Sequence, residues 1–227
     1  GEYNAFADPS IVLPWLQGKR VKANSGKRDS VHKEFSSEYV SDKETLAPLR
    51  ARIAFRDISR ATDSRTVRCA LIPPKTFITN KGPVLLFPRG DEKDEAYLLG
   101  ILSSIPLDWY ARRFVETNVN FFILNPFPIP RPERNDIFWQ RVVELSGRLA
   151  CTDERFSQWA EAVGVAYGPL EEKAKQEMVD ELDAIAAHLY KLDESELIHI
   201  FETFHQGWDF RPRLERVLIH YHDRNGK

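Results

Sequence analysis

Two short segments of the chain alternate polar and apolar side chains, which is the pattern of a half-buried β-strand. They are residues 52–58 (RIAFRDI) and 66–72 (TVRCALI), and the polar residues 59–65 join them. We expect an antiparallel pair, because a connection of this length returns the chain beside the strand it has just left. Two more short strands are predicted at 77–79 and 84–87, on either side of a turn-forming stretch.

The pattern changes after residue 93, where apolar positions begin to recur every three or four residues, as in helices packed along one face. Helices are predicted over 94–104, 107–115, 134–150, 153–163, 169–189, 193–204 and 213–221. Residues 118–130 predict a short strand or extended segment, since prolines favour extended geometry. The predicted fold class is α+β: a small antiparallel β-sheet with packed helices, followed by an all-helical C-terminal region.

Charge divides the chain near residue 131, where the all-helical region is predicted to begin. Residues 1–134 hold 21 basic and 16 acidic side chains, whereas residues 135–227 hold 11 and 18. The net charge of −2 therefore conceals a basic half and an acidic half. Three regions are predicted: a basic, loosely structured segment over 1–47, an α+β core over 48–131 and a helical region over 132–227.

Composition excludes several classes of protein. The chain has 227 residues, 42% of them hydrophobic, which is enough to bury a core and too apolar for a disordered protein. No apolar run approaches the roughly 20 residues that cross a bilayer, so no contact with a membrane is expected. The chain begins with Gly1 and holds one methionine, so we expect a fragment of a longer protein. Cys69 and Cys151 are expected to be reduced thiols of a cytoplasmic protein.

The sequence contains no convincing catalytic motif. There is no glycine-rich phosphate loop, and the paired histidines lack the spacing of a zinc site. Asp153, Glu171 and Lys173 match the bare spacing of a metal-dependent nuclease, but acidic residues are also favoured in the first turn of a helix. The aromatic pairs 109–110 and 121–122 could stack on bases, yet such pairs are more often part of a core. We expect no catalytic or metal site.

Arginine is concentrated in one place. Six arginines and no lysine lie between residues 50 and 68, where there are only two acidic side chains, Asp57 and Asp63. Arginine makes bidentate contacts to phosphates and to guanine, so the cluster is a candidate nucleic-acid surface. The alternative is an ordinary solvated face with local ion pairs, for example Arg56 with Asp63 or Arg60 with Asp57.

Several motifs in this region resemble a known family. They are Phe55-Arg56-Asp57-Ile58, Thr62-Asp63-Ser64-Arg65-Thr66, Ile72-Pro73-Pro74, residues 97–104 (YLLGILSS) with Asp108, Tyr110, Ala111 and Arg112 after them, residues 120–124 (NFFIL) before a proline-rich stretch, and residues 181–197 (ELDAIAAHLYKLDESEL) in the helical tail. Their order over residues 48–223 is similar to the target recognition domain of bacterial adenine-specific DNA methyltransferases. These include type IIG restriction–modification enzymes and phage-exclusion methyltransferases.

The resemblance implies a non-catalytic, cytoplasmic module that reads double-stranded DNA and positions it for base flipping by another domain. That domain, an N-terminal methyltransferase domain of the parent chain, would be a partner and would bind S-adenosylmethionine, so no cofactor is expected here. The expected DNA-binding residues are basic: Lys19, Arg20, Lys22, Lys27, Arg28, Arg52, Arg56, Arg60, Arg65, Arg68 and Lys75.

The motif residues themselves are expected to have a different role from the residues that read bases. Target sequences differ between members of the family, so a shared pattern is better suited to scaffold, domain contact or phosphate binding. This applies to Arg56, Asp57, Thr62, Asp63 and Arg65. Two alternatives stay open: a protein-docking module without DNA contact, and a nuclease that uses Asp153, Glu171 and Lys173.

Overall fold

The computed structural model describes residues 7–225, except for the side chains of residues 224 and 225. The strands are β1 (Arg52–Phe55) and β2 (Cys69–Ile72). The helices are α1 (Pro9–Ser25), α2 (Ser37–Ser41), α3 (Glu92–Ser103), α4 (Ile105–Ala111), α5 (Phe121–Leu124), α6 (Ile137–Ala150), α7 (Ser157–Val163), α8 (Glu172–Leu189), α9 (Glu194–Phe204) and α10 (Arg211–Asn225). Short 3₁₀ turns lie at Val31–Glu34, Lys43–Thr45, Ala47–Leu49 and Glu154–Phe156. The predicted α+β class is confirmed.

The two strands pair antiparallel, as predicted, with Arg52 opposite Ile72 and Phe55 opposite Cys69. All four residues of β1 are buried, so the alternation in its sequence does not separate a wet face from a dry one. The strands predicted at 77–79 and 84–87 are wrong. Only a single bridge, between Ala54 and Val84, forms along the second edge of β1, because the neighbouring Pro83 has no N–H to donate.

The sheet rests on a layer of helices in which α3 and α6 pack closely. Gly100 makes this approach possible, since a Cβ at that position would lie 2.7 Å from a methyl carbon of Val142. The hydroxyl of Ser146 donates to the carbonyl of Ala96 at 2.5 Å across the same contact. A second core joins α4, α8, α9 and α10 around the fully buried Phe201. None of the described helices has the length and apolar character needed to cross a membrane.

The basic N-terminal segment is folded where it was expected to be loose. The Asp8 side chain caps α1 by accepting the N–H of Ser10 at 2.9 Å, and Pro9 occupies the first helical turn. Arg20, on the inner face, donates to the carbonyl of Asp42 at 2.6 Å and to the hydroxyl of Thr45 at 2.9 Å. A loose segment was expected because its basic side chains repel one another. Arg20 instead forms these hydrogen bonds and anchors α1 to the residues after α2. Residues 1–6 lie outside the described residues.

The helical predictions are otherwise confirmed, with one further correction. Residues 121–124, expected to be extended, form a helical turn because the side chain of Asn120 accepts the N–H of Ile123 at 3.1 Å. The capping box at the start of α9 is present, since Asp193 and Glu196 satisfy each other's backbone N–H groups.

Candidate nucleic-acid interface

Three of the eleven basic residues expected at a DNA surface bind internal partners: Arg20 and Arg52 are buried, and Arg65 is partly buried. Arg20 ties α1 to the residues after α2, as described above. Arg52 is 4% exposed and donates to the carbonyl of Thr76 at 2.6 Å, and its burial lowers its pKa to about 10. Arg65 donates to the carbonyls of Ser103 and Ser104. These three guanidinium groups are committed to internal partners, so we assign them to the scaffold.

Residues 59–66, a loop within the connection between the two strands (56–68), are held in place by the buried carboxylate of Asp108 on α4. Asp108 accepts the backbone N–H of Thr66 at 3.0 Å and that of Val67 at 2.8 Å. The Nε atom of Arg65 lies 2.9 Å from the second oxygen of the same carboxylate. A buried charge with this many partners fixes the end of the loop in one position.

The guanidinium of Arg112 also holds the loop in place. Arg112 donates to the carbonyl of Ala61, to that of Asp63 at 2.7 Å and to that of Ser64 at 3.0 Å. Its guanidinium lies 4.0 Å from the ring centre of Phe204 on α9. The loop is therefore braced both by α4 and by the C-terminal helices.

The supported loop and the end of β1 present arginine to solvent. Arg56 and Arg60 are both exposed, and neither side chain pairs with a carboxylate in the described part of the chain. The two ion pairs named as examples of an ordinary solvated face, Arg56 with Asp63 and Arg60 with Asp57, do not form among the described residues. Asp63 lies 3.6 Å from Arg68 instead, and Asp57 lies 3.1 Å from Lys81.

A second basic surface lines a groove of about 1310 Å³ between α1 and residues 84–95. Lys19, Lys22, Lys27 and Arg28 stand on its α1 side, and Lys19 also sits over the ring of Trp15 at 3.9 Å. With the cations around β1, seven of the predicted residues are exposed and have no carboxylate partner among residues 7–225. They are Lys19, Lys22, Lys27, Arg28, Arg56, Arg60 and Lys75.

The opposite wall of the groove is acidic. Asp91, Glu92 and Glu95 line it, and Glu95 accepts the indole N–H of Trp159 at 2.8 Å. Burial disfavours the ionised form of Glu95 and raises its pKa to about 7. The charge of this wall therefore depends on pH in the neutral range.

The residues considered for catalysis are not gathered into one site. Asp153 is bound to Arg155 at 2.7 Å, and this contact lowers the pKa of Asp153 to about 2. Across the described residues, no group of three His, Cys, Asp or Glu side chains is placed to hold a metal ion. Burial raises the pKa of Cys69 to about 12 and that of Cys151 to about 11, which disfavours the thiolate needed for nucleophilic attack.

Sequence reasoning missed what Asp108, Arg112 and Phe122 do. Asp108 and Arg112 are one helical turn apart, a spacing that could have indicated a shared contact. Phe122 was expected in the core but is 94% exposed, while its neighbour Phe121 is 43% exposed. No signal within the sequence separates these two phenylalanines.

Neither a protein-family model nor a curated protein nor a solved structure matches the chain.

Proposed function

We propose that the chain is a DNA sequence-recognition module of an adenine-N6 DNA methyltransferase or restriction–modification enzyme. It binds duplex DNA in the bacterial cytoplasm and positions it for a methyltransferase domain. The observation that carries this proposal is the pair of exposed arginines, Arg56 and Arg60, beside a loop fixed by Asp108 and Arg112.

The braced loop suits binding to a polyanion for two physical reasons. Guanidinium groups without a carboxylate partner are available for bidentate contacts to phosphate oxygens or to the guanine edge. A loop already held in place also loses less conformational freedom on binding than a mobile one does. Arg60 and Thr62, both exposed on this loop, are therefore ready to meet a groove of the duplex.

The scaffold role of the loop network agrees with the resemblance to target recognition domains. In the motif TDSRT, Arg65 and the backbone of Thr66 are used internally to bind Asp108. A pattern shared by a family whose members read different sequences is suited to such a role. We assign base reading to exposed side chains outside the shared motif, such as Arg60.

The basic side of the groove supplies a second phosphate-binding surface in this proposal. Arg52 lines the groove at the start of β1, and Arg56 directly follows the end of that strand. If the groove and the arginines after β1 both bind phosphates, the protein contacts the duplex at more than one phosphate. Such contacts fix the position of the protein along the DNA.

The experiment is a direct binding measurement with the full chain and a random-sequence duplex, compared across single variants. Arg56→Ala and Arg60→Ala should each weaken binding, because each removes a free cation from the interface. The matched control is Lys173→Ala, which removes an exposed cation from the acidic half. Equal losses from all three variants, or no binding by the parent chain at low salt, would contradict the proposal.

A protein-docking role is the second candidate, and it concerns the C-terminal helices. Ile137 on α6 and Ile219 on α10 are 59% and 61% exposed, in a region of net charge −7. Such a surface repels DNA and suits a methyltransferase domain or a restriction subunit. Ile219→Glu should abolish association with that partner in sedimentation experiments and leave DNA affinity unchanged. An equal loss of both activities would contradict this division of roles.

A further inference from the structure

The side chain of Phe122 is exposed to solvent, although the turn that carries it is packed against the protein. The ring is 94% exposed, although it belongs to the short helix α5. Its neighbour Phe121 packs edge-on against Phe55 with ring centres 5.3 Å apart, Leu124 is buried, and Asn120 caps the turn. The exposure therefore belongs to a fixed backbone and not to a loose tail.

The turn lies beside the exposed arginines of the proposed interface. Backbone hydrogen bonds of 2.7 and 3.1 Å join residues 117–119 to residues 57–59. Arg56 and Arg60 immediately flank the second of these segments in the chain. The turn that carries the exposed phenylalanine therefore follows a backbone segment adjacent to the one that Arg56 and Arg60 flank.

The chemistry of this surface favours one kind of occupant. Ile58, between the two arginines, is 45% exposed and enlarges the apolar part of the patch. An apolar partner protein would leave two buried guanidinium groups without a counter-charge, which is unfavourable. A DNA duplex provides both a counter-charge for the arginines and an apolar contact for the phenylalanine. Its phosphates neutralise the arginines, and its base pairs present flat faces to an aromatic ring.

We propose that Phe122 is a wedge whose ring enters the base stack of duplex DNA, while Arg56 and Arg60 hold the neighbouring phosphates. Apolar side chains inserted between base steps partly unstack and kink the helix. The ring would thus separate neighbouring base pairs close to the bases that are read. This inference rests on the proposed DNA-binding function and adds deformation of the duplex to it.

The test measures unwinding as well as affinity. The full chain is incubated with closed circular plasmid that a topoisomerase then relaxes, and the change in linking number reports unwinding per bound protein. The parent chain should unwind the plasmid. Phe122→Ala should lose the unwinding and bind at least about fivefold more weakly, whereas Phe122→Trp should retain both. Because the ring is exposed, all variants should keep the parent melting temperature.

Two control variants separate the wedge from the other possibilities. Phe114→Ala removes another exposed phenylalanine (53% exposed) and should leave unwinding unchanged. Arg56→Ala should weaken binding but keep the unwinding per bound molecule. DNA binding without unwinding by the parent chain, or unwinding that survives in Phe122→Ala, overturns the wedge and leaves the proposed function standing. Absence of DNA binding overturns both, and self-association lost only in Phe122→Ala identifies a protein contact instead.

Discussion

The Nε atom of Arg65 lies 2.9 Å from the carboxylate of Asp108, a side chain that is fully buried. This contact joins the loop after β1 to helix α4. It also places Asp108 where the backbone N–H groups of Thr66 and Val67 can reach it. This carboxylate, together with Arg112, thus holds the loop that carries Arg60.

Removing the charge of Asp108 should destabilise the whole fold. Asp108 lies 2.9 Å from the partly buried Arg65 and 3.8 Å from the buried side chain of Arg112, so Asp108→Asn removes the counter-charge that these two guanidinium groups share. We expect the free energy of unfolding to fall by about 3 kcal/mol, as measured by denaturation in urea.

The matched control for this change is Asp63→Asn in the same loop. The ion pair of Asp63 with Arg68 is 3.6 Å long and both side chains are partly exposed, so its loss should cost less than about 1 kcal/mol. Similar losses in Asp108→Asn and Asp63→Asn would show that Asp108 does not support the loop as described.

The stability of the protein should depend on pH through Glu95. Burial raises the pKa of this acid from 4.5 to about 7. Between these values the folded state holds a proton that the unfolded state has released, so stability falls as pH rises through this window. Glu95→Gln should remove the fall and be up to about 3 kcal/mol more stable than the parent at pH 8. Superimposable pH profiles from thermal unfolding would exclude this role for Glu95.

Two glycine substitutions should have opposite effects on stability. Gly100→Ala places a Cβ 2.7 Å from Val142 and should destabilise the contact between α3 and α6 by about 1–3 kcal/mol. Gly18→Ala meets nothing within 4 Å and lies within α1, so it should stabilise the protein by about 0.5–1 kcal/mol. Calorimetric melting of both variants checks the pair, and equal shifts would contradict the close approach of the helices.

The contribution of individual arginines should appear in the salt dependence of DNA binding. Arg60→Ala should reduce the slope of log affinity against log salt concentration by about one, because one fewer phosphate counterion is released. Arg65→Ala should behave differently, since Arg65 pairs with the buried carboxylate of Asp108 and its loss reduces thermal stability. Titrations at several salt concentrations distinguish the two, and an unchanged slope in Arg60→Ala would remove that residue from the interface.

The sequence predicts the helices and the strand pair well because apolar periodicity and capping residues are local signals. Asp193 with Glu196 marks the start of α9 without any knowledge of the fold. The failures concern residues whose state depends on distant partners. Arg20 is buried and donates to the carbonyl of Asp42, 22 residues away, and no local sequence pattern predicts that contact.

In the candidate site, too, local sequence predicts some features, whereas others depend on residues that are distant in the chain. Counting arginines finds the basic region, but it cannot separate Arg65, which binds a carboxylate 43 positions later, from Arg60, which stays exposed. The two adjacent phenylalanines show the limit most clearly. They are chemically identical, and only the turn formed after Asn120 directs Phe121 against Phe55 while Phe122 faces solvent.

The most direct test of the central claim is the affinity of the full chain for a random-sequence duplex, measured over a range of salt concentrations. If several of the seven exposed cations contact phosphates, the slope of log affinity against log salt should lie between about −3 and −6. A slope near zero, or no binding at the lowest salt, would contradict the assignment of this surface to DNA.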